Sequence, residues 1–167
     1  CSALVLFMTP GLAFFYGGLV RASSVVSMMM MSFGSLGLIG VIWVTYGYAM
    51  SFGNAGSGHY VGIDGVFGID LNALFLNDLM STALRFNDGA GLAFAGFQGT
   101  FAIITVALIS GAIADRAKFG SWMIFAGLWA TLVYFPVASW VFNFKSVNGK
   151  VVDGGWLVYN FHVLDFA

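Results

Sequence analysis

Charged residues are absent from four long stretches of the chain. Residues 1–20, 22–63, 89–114 and 119–144 contain no Asp, Glu, Lys or Arg. A helix needs about 20 mostly apolar residues to cross the hydrocarbon core of a bilayer, and each stretch is long enough. The pattern predicts transmembrane helices at about 1–20, 25–50, 91–114 and 121–142, with a further helix starting at 161. Two long connections are left, at 51–90 and 143–160. Four buried helices of a soluble core would each need a polar outer face, and none of these has one. The fold class expected is an all-α membrane protein, a polytopic helix bundle forming one transmembrane domain over 1–167. Pro10 falls inside the first helix and should kink it, with neighbouring groups satisfying the freed carbonyl.

Composition agrees. Of 167 residues, 60% are apolar and 8% charged, and the mean hydropathy is +0.93. Soluble domains are about 45–50% apolar and about 25% charged. A disordered chain and an ordinary soluble enzyme are excluded. The net charge of -1 leaves no basic footprint for nucleic acid. The single cysteine, Cys1, rules out an internal disulfide. The first residues are already apolar, without the positive flank and cleavage site of a signal peptide. Residues 161–167 read as the opening of a helix cut short, so an incomplete polypeptide is expected.

Orientation follows from the connections. Arg21 lies in one short turn; Asp115, Arg116 and Lys118 lie in another. The long connections dilute Arg85, Lys145 and Lys150 among Asp64, Asp70, Asp78, Asp88 and Asp153. Basic-residue density puts the short turns in the cytoplasm and the long loops outside, in a multi-pass protein of the cell membrane.

The chemistry on offer is sparse. His59 and His162 sit at or beyond helix ends, where solvated loop histidines outnumber metal ligands. Met28 to Met31 point around a helix rather than at one spot, so they read as apolar filler and not as a soft-metal site. Gly17 and Gly18 lack the lysine of a phosphate-cradling loop. No catalytic constellation, metal site or cofactor motif is present, and an enzyme is not expected. Glycines such as Gly34, Gly37, Gly40, Gly96, Gly99 and Gly111 suit close helix packing in lipid. What remains is aromatic. Phe97 and Phe101 are four apart and share a helix face, and Phe142 ends the fourth helix two residues after Trp140. Such π faces can hold a cation; an interfacial aromatic belt is the plainer alternative.

Several stretches resemble a known family. Residues 7–21 (Phe-Met-Thr-Pro-Gly-Leu-Ala-Phe-Phe-Tyr-Gly-Gly-Leu-Val-Arg) are similar to the first helix of ammonium transporters of the Amt/MEP/Rh family. Residues 43–48 (Trp-Val-Thr-Tyr-Gly-Tyr), 97–102 (Phe-Gln-Gly-Thr-Phe-Ala) and 112–116 (Ala-Ile-Ala-Asp-Arg) follow in the family order. Asp-Phe-Ala at 165–167 resembles the opening of the fifth-helix signature. The likeness is to the Amt branch and spans nearly the whole chain; the glycine-rich loop 51–90 is its least similar part.

The resemblance implies an eleven-helix fold of two inverted halves in a homotrimer, of which this chain covers the first four helices and the start of a fifth. It implies that an outer aromatic site recruits ammonium or methylammonium, that the cation loses its proton, and that ammonia crosses an apolar pore. Phe97 would be a vestibule wall and Phe101 the first gate ring. Phe142 stands where the family usually has a recruiting Trp; phenylalanine keeps the π face but holds a cation less well. Asp165 would cap the fifth helix. Leu12, Phe15, Tyr16, Leu108 and Val141 would line the pore. The proton-relaying histidines would lie beyond residue 167, so this chain alone is expected not to conduct. A P-II regulatory protein would contact Arg21, Asp115, Arg116 and Lys118.

Two other readings stay open. One is an ammonium sensor or regulatory membrane protein of the same family, acting through its cytoplasmic loops. The other is an unrelated secondary transporter sharing only glycine-rich helices, since inverted repeats are widespread.

Overall fold

The structure is a computed structural model that describes residues 1–53, 58–63, 65–77, 79, 90–143, 145–147, 150–153 and 155–163. Four helical stretches are long and apolar enough to cross a membrane: Ser2–Leu19, Ala22–Phe52, Gly91–Ile113 and Phe119–Phe142. These are the four predicted helices, with ends close to those expected. Large apolar side chains such as Leu4, Phe7, Val26 and Ile124 stand exposed on their flanks, as helices that are apolar all round require a non-aqueous surrounding.

Two of the spans change helix type midway. The second consists of a 3₁₀ turn (Ala22–Ser24), α2 (Val25–Ile42), a π-helical turn (Trp43–Gly47) and α3 (Tyr48–Phe52). The fourth consists of α5 (Phe119–Trp129), a π-helical turn (Ala130–Tyr134) and α6 (Phe135–Phe142). The pattern of apolar residues did not predict either turn, because periodicity in an all-apolar helix carries little phase information. Pro136 follows the second one. It has no N–H to offer the carbonyl four residues back and its ring crowds that carbonyl; the widened turn accommodates both. Pro10, by contrast, lies inside the continuous α1 (Ser2–Leu19).

The described residues gather into two compact units. The first draws on Cys1–Trp43 and Thr82–Ala130. In it α1 packs on α2 and on α4 (Ala90–Ile109), and α2 packs also on α4 and α5. Small residues admit bulky partners. A Cβ on Gly34 would lie 2.9 Å from Met123 Sδ and from the Phe119 ring. The wholly buried Trp122 donates its indole N–H to the Met31 carbonyl at 3.0 Å and to Ser35 Oγ at 3.1 Å. Ser35 Oγ itself donates to the Met31 carbonyl at 2.8 Å. Met28 and Met31 are buried, whereas Met30 is exposed, so the methionine run faces more than one way.

The second unit draws on Val44–Ser81 and Thr131–Ala167. Here α3 packs on α6 and on the loop elements that follow it. Tyr46 and Thr131 share a hydroxyl–hydroxyl hydrogen bond of 2.8 Å. The buried Phe135 ring fills the space over Gly47, where a Cβ would come within 2.6 Å.

The long connections, read as loops, contain two antiparallel hairpins. Strands β1 (Tyr60–Ile63) and β2 (Phe67–Asp70) pair from Tyr60↔Asp70 to Ile63↔Phe67. Strands β3 (Lys145–Val147) and β4 (Lys150–Asp153) pair with a bulge between Lys145 and Ser146. Asp64-Gly65 and Asn148-Gly149 in the sequence are the turn dipeptides that favour such hairpins. Asp70, 5% exposed, accepts from the Asn72 N–H and caps a 3₁₀ turn at Leu71–Leu76. The short helix α7 (Trp156–Phe161) follows, closed by His162 in the left-handed conformation. Phe161, expected to open a helix, is therefore the last residue of one. The side chain following the turn cannot extend the helix in that backbone conformation.

Candidate functional site

In the first unit, α4 carries the aromatic pair. Phe97 and Phe101 meet edge to face, with centroids 4.9 Å apart and planes at 85°, the arrangement favoured by the ring quadrupoles. Both rings are half-buried. Thr100 Oγ1 donates to the Phe97 carbonyl at 2.6 Å, and Thr105 Oγ1 to the Phe101 carbonyl at 2.7 Å. These hydroxyls, on an apolar helix, turn back on their own backbone.

Toward the other end of α4, Tyr16 of α1 donates its hydroxyl to the Leu108 carbonyl at 3.1 Å. Its ring lies over Gly111, where a Cβ would come within 2.7 Å, and 5.8 Å from the Phe15 ring. A cavity of about 440 Å³ opens here between Tyr16, Leu19, Met28, Gly111 and Asp115. Leu12 is half-buried, whereas Phe15 and Leu108 are exposed. Of the residues predicted to line a pore, Tyr16 thus meets the Leu108 backbone and the ring of its neighbour Phe15.

In the second unit, Phe142 is the last residue of α6, as expected, and is half-buried with Val141. The buried Gly155 donates its N–H to the Val141 carbonyl at 3.3 Å. Trp140, two positions before Phe142, is engaged elsewhere. Its indole N–H donates to the Val66 carbonyl at 2.8 Å, and its ring lies 5.8 Å from that of Trp156. Asp165 lies outside the described residues. The basic side chains Arg21, Arg116 and Lys118 are exposed, and Asp115 sits exposed at a left-handed position in the same turn.

One residue near the aromatic pair was not singled out by its chemistry in the sequence. Trp43, 3% exposed, donates its indole N–H to the Ala95 carbonyl at 3.0 Å, and its ring covers Gly99. The four-residue spacing of the small residues Ala95 and Gly99 was the available signal.

Four apolar spans packed through small residues make this a multi-pass helical membrane protein. Residues 1–167 match the family model described as Ammonium Transporter Family. The chain belongs to that family. An ammonium transporter of Mycobacterium tuberculosis is 51% identical over 99% of this chain and 36% of its own length. An ammonium transporter of Bacillus subtilis is 41% identical over 100% of the chain and 37% of its length. Ammonium transporter Amt1 of Archaeoglobus fulgidus is 38% identical over 99% and 36%. The chain therefore spans little more than a third of the length of these curated relatives.

Proposed function

We propose that this chain is the part of an ammonium transporter that recruits the cation and begins its passage. Cation recruitment and gating are assigned to Phe97 and Phe101 and, as the family resemblance implies, to Phe142 and Asp165. A role in the apolar path is assigned to Leu12, Phe15, Tyr16 and Leu108 and, as the family resemblance implies, to Val141. The observation that carries this reading is the edge-to-face Phe97–Phe101 pair within a chain of this family.

The chemistry suits ammonium. Potassium, close in size, must have its water replaced by several oxygens, and phenyl rings do not supply them. A π face gains about 0.5–1 kcal/mol from an exposed cation and about 2 kcal/mol or more from a desolvated one. Ammonium, unlike potassium, can then give up a proton to a base in the full-length protein that carries this chain, as the family's proton-relaying histidines would supply. A neutral molecule crosses an apolar path that would be costly for a charge. The protein works as a homotrimer in the plasma membrane, serves nitrogen uptake, and has its long loops outside. Arg21, Asp115, Arg116 and Lys118 are the contact for a P-II regulatory protein.

The test is uptake of labelled methylammonium by the full-length protein that carries this chain, reconstituted in vesicles. Saturable uptake that ammonium competes for supports transport. Absence of uptake, with ammonium-dependent binding of a P-II protein retained, supports the sensor reading instead.

A further inference from the structure

We propose that Trp43 is a positioning residue for the Phe97–Phe101 pair, setting the height and rotation at which α4 presents the two rings to a cation. The proposal rests on the transport reading above.

Trp43 is the residue at which the second span widens from α2 into its π-helical turn. Its indole is almost wholly buried and makes two different contacts with α4. The N–H donates to the Ala95 carbonyl at 3.0 Å. The five-membered ring sits over Gly99, where a Cβ would lie 2.7 Å from Cδ1 and 2.8 Å from Nε1. Ala95 is itself buried. Ala95 and Gly99 are four apart and share one face of α4. The hydrogen bond resists sliding along the axis, because a carbonyl shifted by one residue points elsewhere. The ring in the glycine notch resists rotation.

Phe97 lies between those two positions in sequence, about 200° around the helix from Ala95. The ring pair is thus on the side of α4 opposite Trp43. A small roll of the helix at the indole is carried directly to the rings. The Phe97 and Phe101 carbonyls, which fix where the two rings leave the helix, each accept from a threonine hydroxyl of the same helix, Thr100 and Thr105. One turn further along the same interface, Gly40 and Ile103 are in ordinary contact, at 3.9 Å from a Cβ built on the glycine. The approach at Gly99 is closer than at Gly40.

The test compares methylammonium uptake by the full-length protein with that of Trp43→Phe, Gly99→Ala and the double variant, each normalised to its amount in the membrane. Trp43→Phe keeps a buried ring and loses the donor. It is expected to raise the half-saturation concentration about fivefold, the weight of one buried hydrogen bond, with the maximal rate near that of the parent. Gly99→Ala should raise it further. The double variant should recover little of that loss, because phenylalanine lacks Nε1 but keeps the Cγ and Cδ atoms that the new Cβ also meets. Unchanged half-saturation in Trp43→Phe overturns the proposal, as does a loss of rate that only follows lower abundance. A parent protein without uptake overturns the transport reading and this role with it.

Discussion

The Tyr16 hydroxyl donates to the Leu108 carbonyl at 3.1 Å, and the ring that carries it occupies the space left by Gly111. The two contacts tie α1 to the end of α4 by different means. Tyr16→Phe removes only the hydrogen bond. Side-chain bonds between membrane helices average about 0.6 kcal/mol, so that variant should melt slightly below the parent. Gly111→Ala forces a Cβ against the ring and should cost more, about 1–3 kcal/mol for overpacking. Thermal unfolding of both variants of the full-length protein in detergent checks the order; a reversed order would place the strength in the hydroxyl.

Trp122 joins α5 to α2 through a carbonyl and a hydroxyl that are also bonded to each other. Trp122→Phe leaves the Ser35–Met31 bond in place but removes the shared donor. It is expected to destabilise by about 0.5–1.5 kcal/mol, the net worth of a hydrogen bond whose acceptors keep each other as partners. Trp122→Ala adds a cavity and should cost about 3–5 kcal/mol. Equal melting of the parent and Trp122→Phe would show that ring volume alone matters here.

Gly47 and Phe135 are coupled by shape in the second unit. Gly47→Ala should destabilise by about 1–3 kcal/mol, and Phe135→Leu should do so by leaving a void. The double variant is expected to lose less than the sum, with a coupling of at least about 0.5 kcal/mol, as for residues in contact. Strict additivity in a double-mutant cycle would deny the contact.

Phe142 is the position at which aromatic identity should set the affinity for the cation. Phe142→Trp is expected to lower the half-saturation for methylammonium by about two- to fivefold, the gain from the better π face. An unchanged value would put Phe142 off the site. Trp140→Phe should have a different signature, since it removes the donor to Val66 and should act on stability rather than on affinity.

The exposed turn offers a test of the partner. Arg116→Glu together with Lys118→Glu reverses two exposed charges. Co-purification with a P-II protein is expected to fall at least tenfold, in line with about 2 kcal/mol or more for lost and repelled interfacial charges, while methylammonium uptake persists. Full retention of the partner would move the contact to another surface.

Much of the architecture was legible along the chain because the deciding quantity is additive. Each charge-free run is long enough to pass a bilayer, and the structure has its four long helices at those places. The hairpins were legible in principle, in Asp64-Gly65 and Asn148-Gly149, but those dipeptides lie in loops whose strands are only three or four residues long. The aromatic pair was legible too, since a spacing of four brings Phe97 and Phe101 onto one face whatever surrounds them.

The sequence by itself determined the class of protein, the number and limits of the long helices, and the family. Those follow from transfer free energy summed over neighbouring residues and from motifs in a given order. Only the tertiary structure decided which glycine receives which ring, where Trp43 sends its N–H, and that two spans widen into π-helical turns at Trp43–Gly47 and Ala130–Tyr134. The first two depend on how closely two distant segments approach. Trp43 and Ala95 are 52 positions apart, and helices apolar on every side leave no stripe in the sequence to show which faces meet.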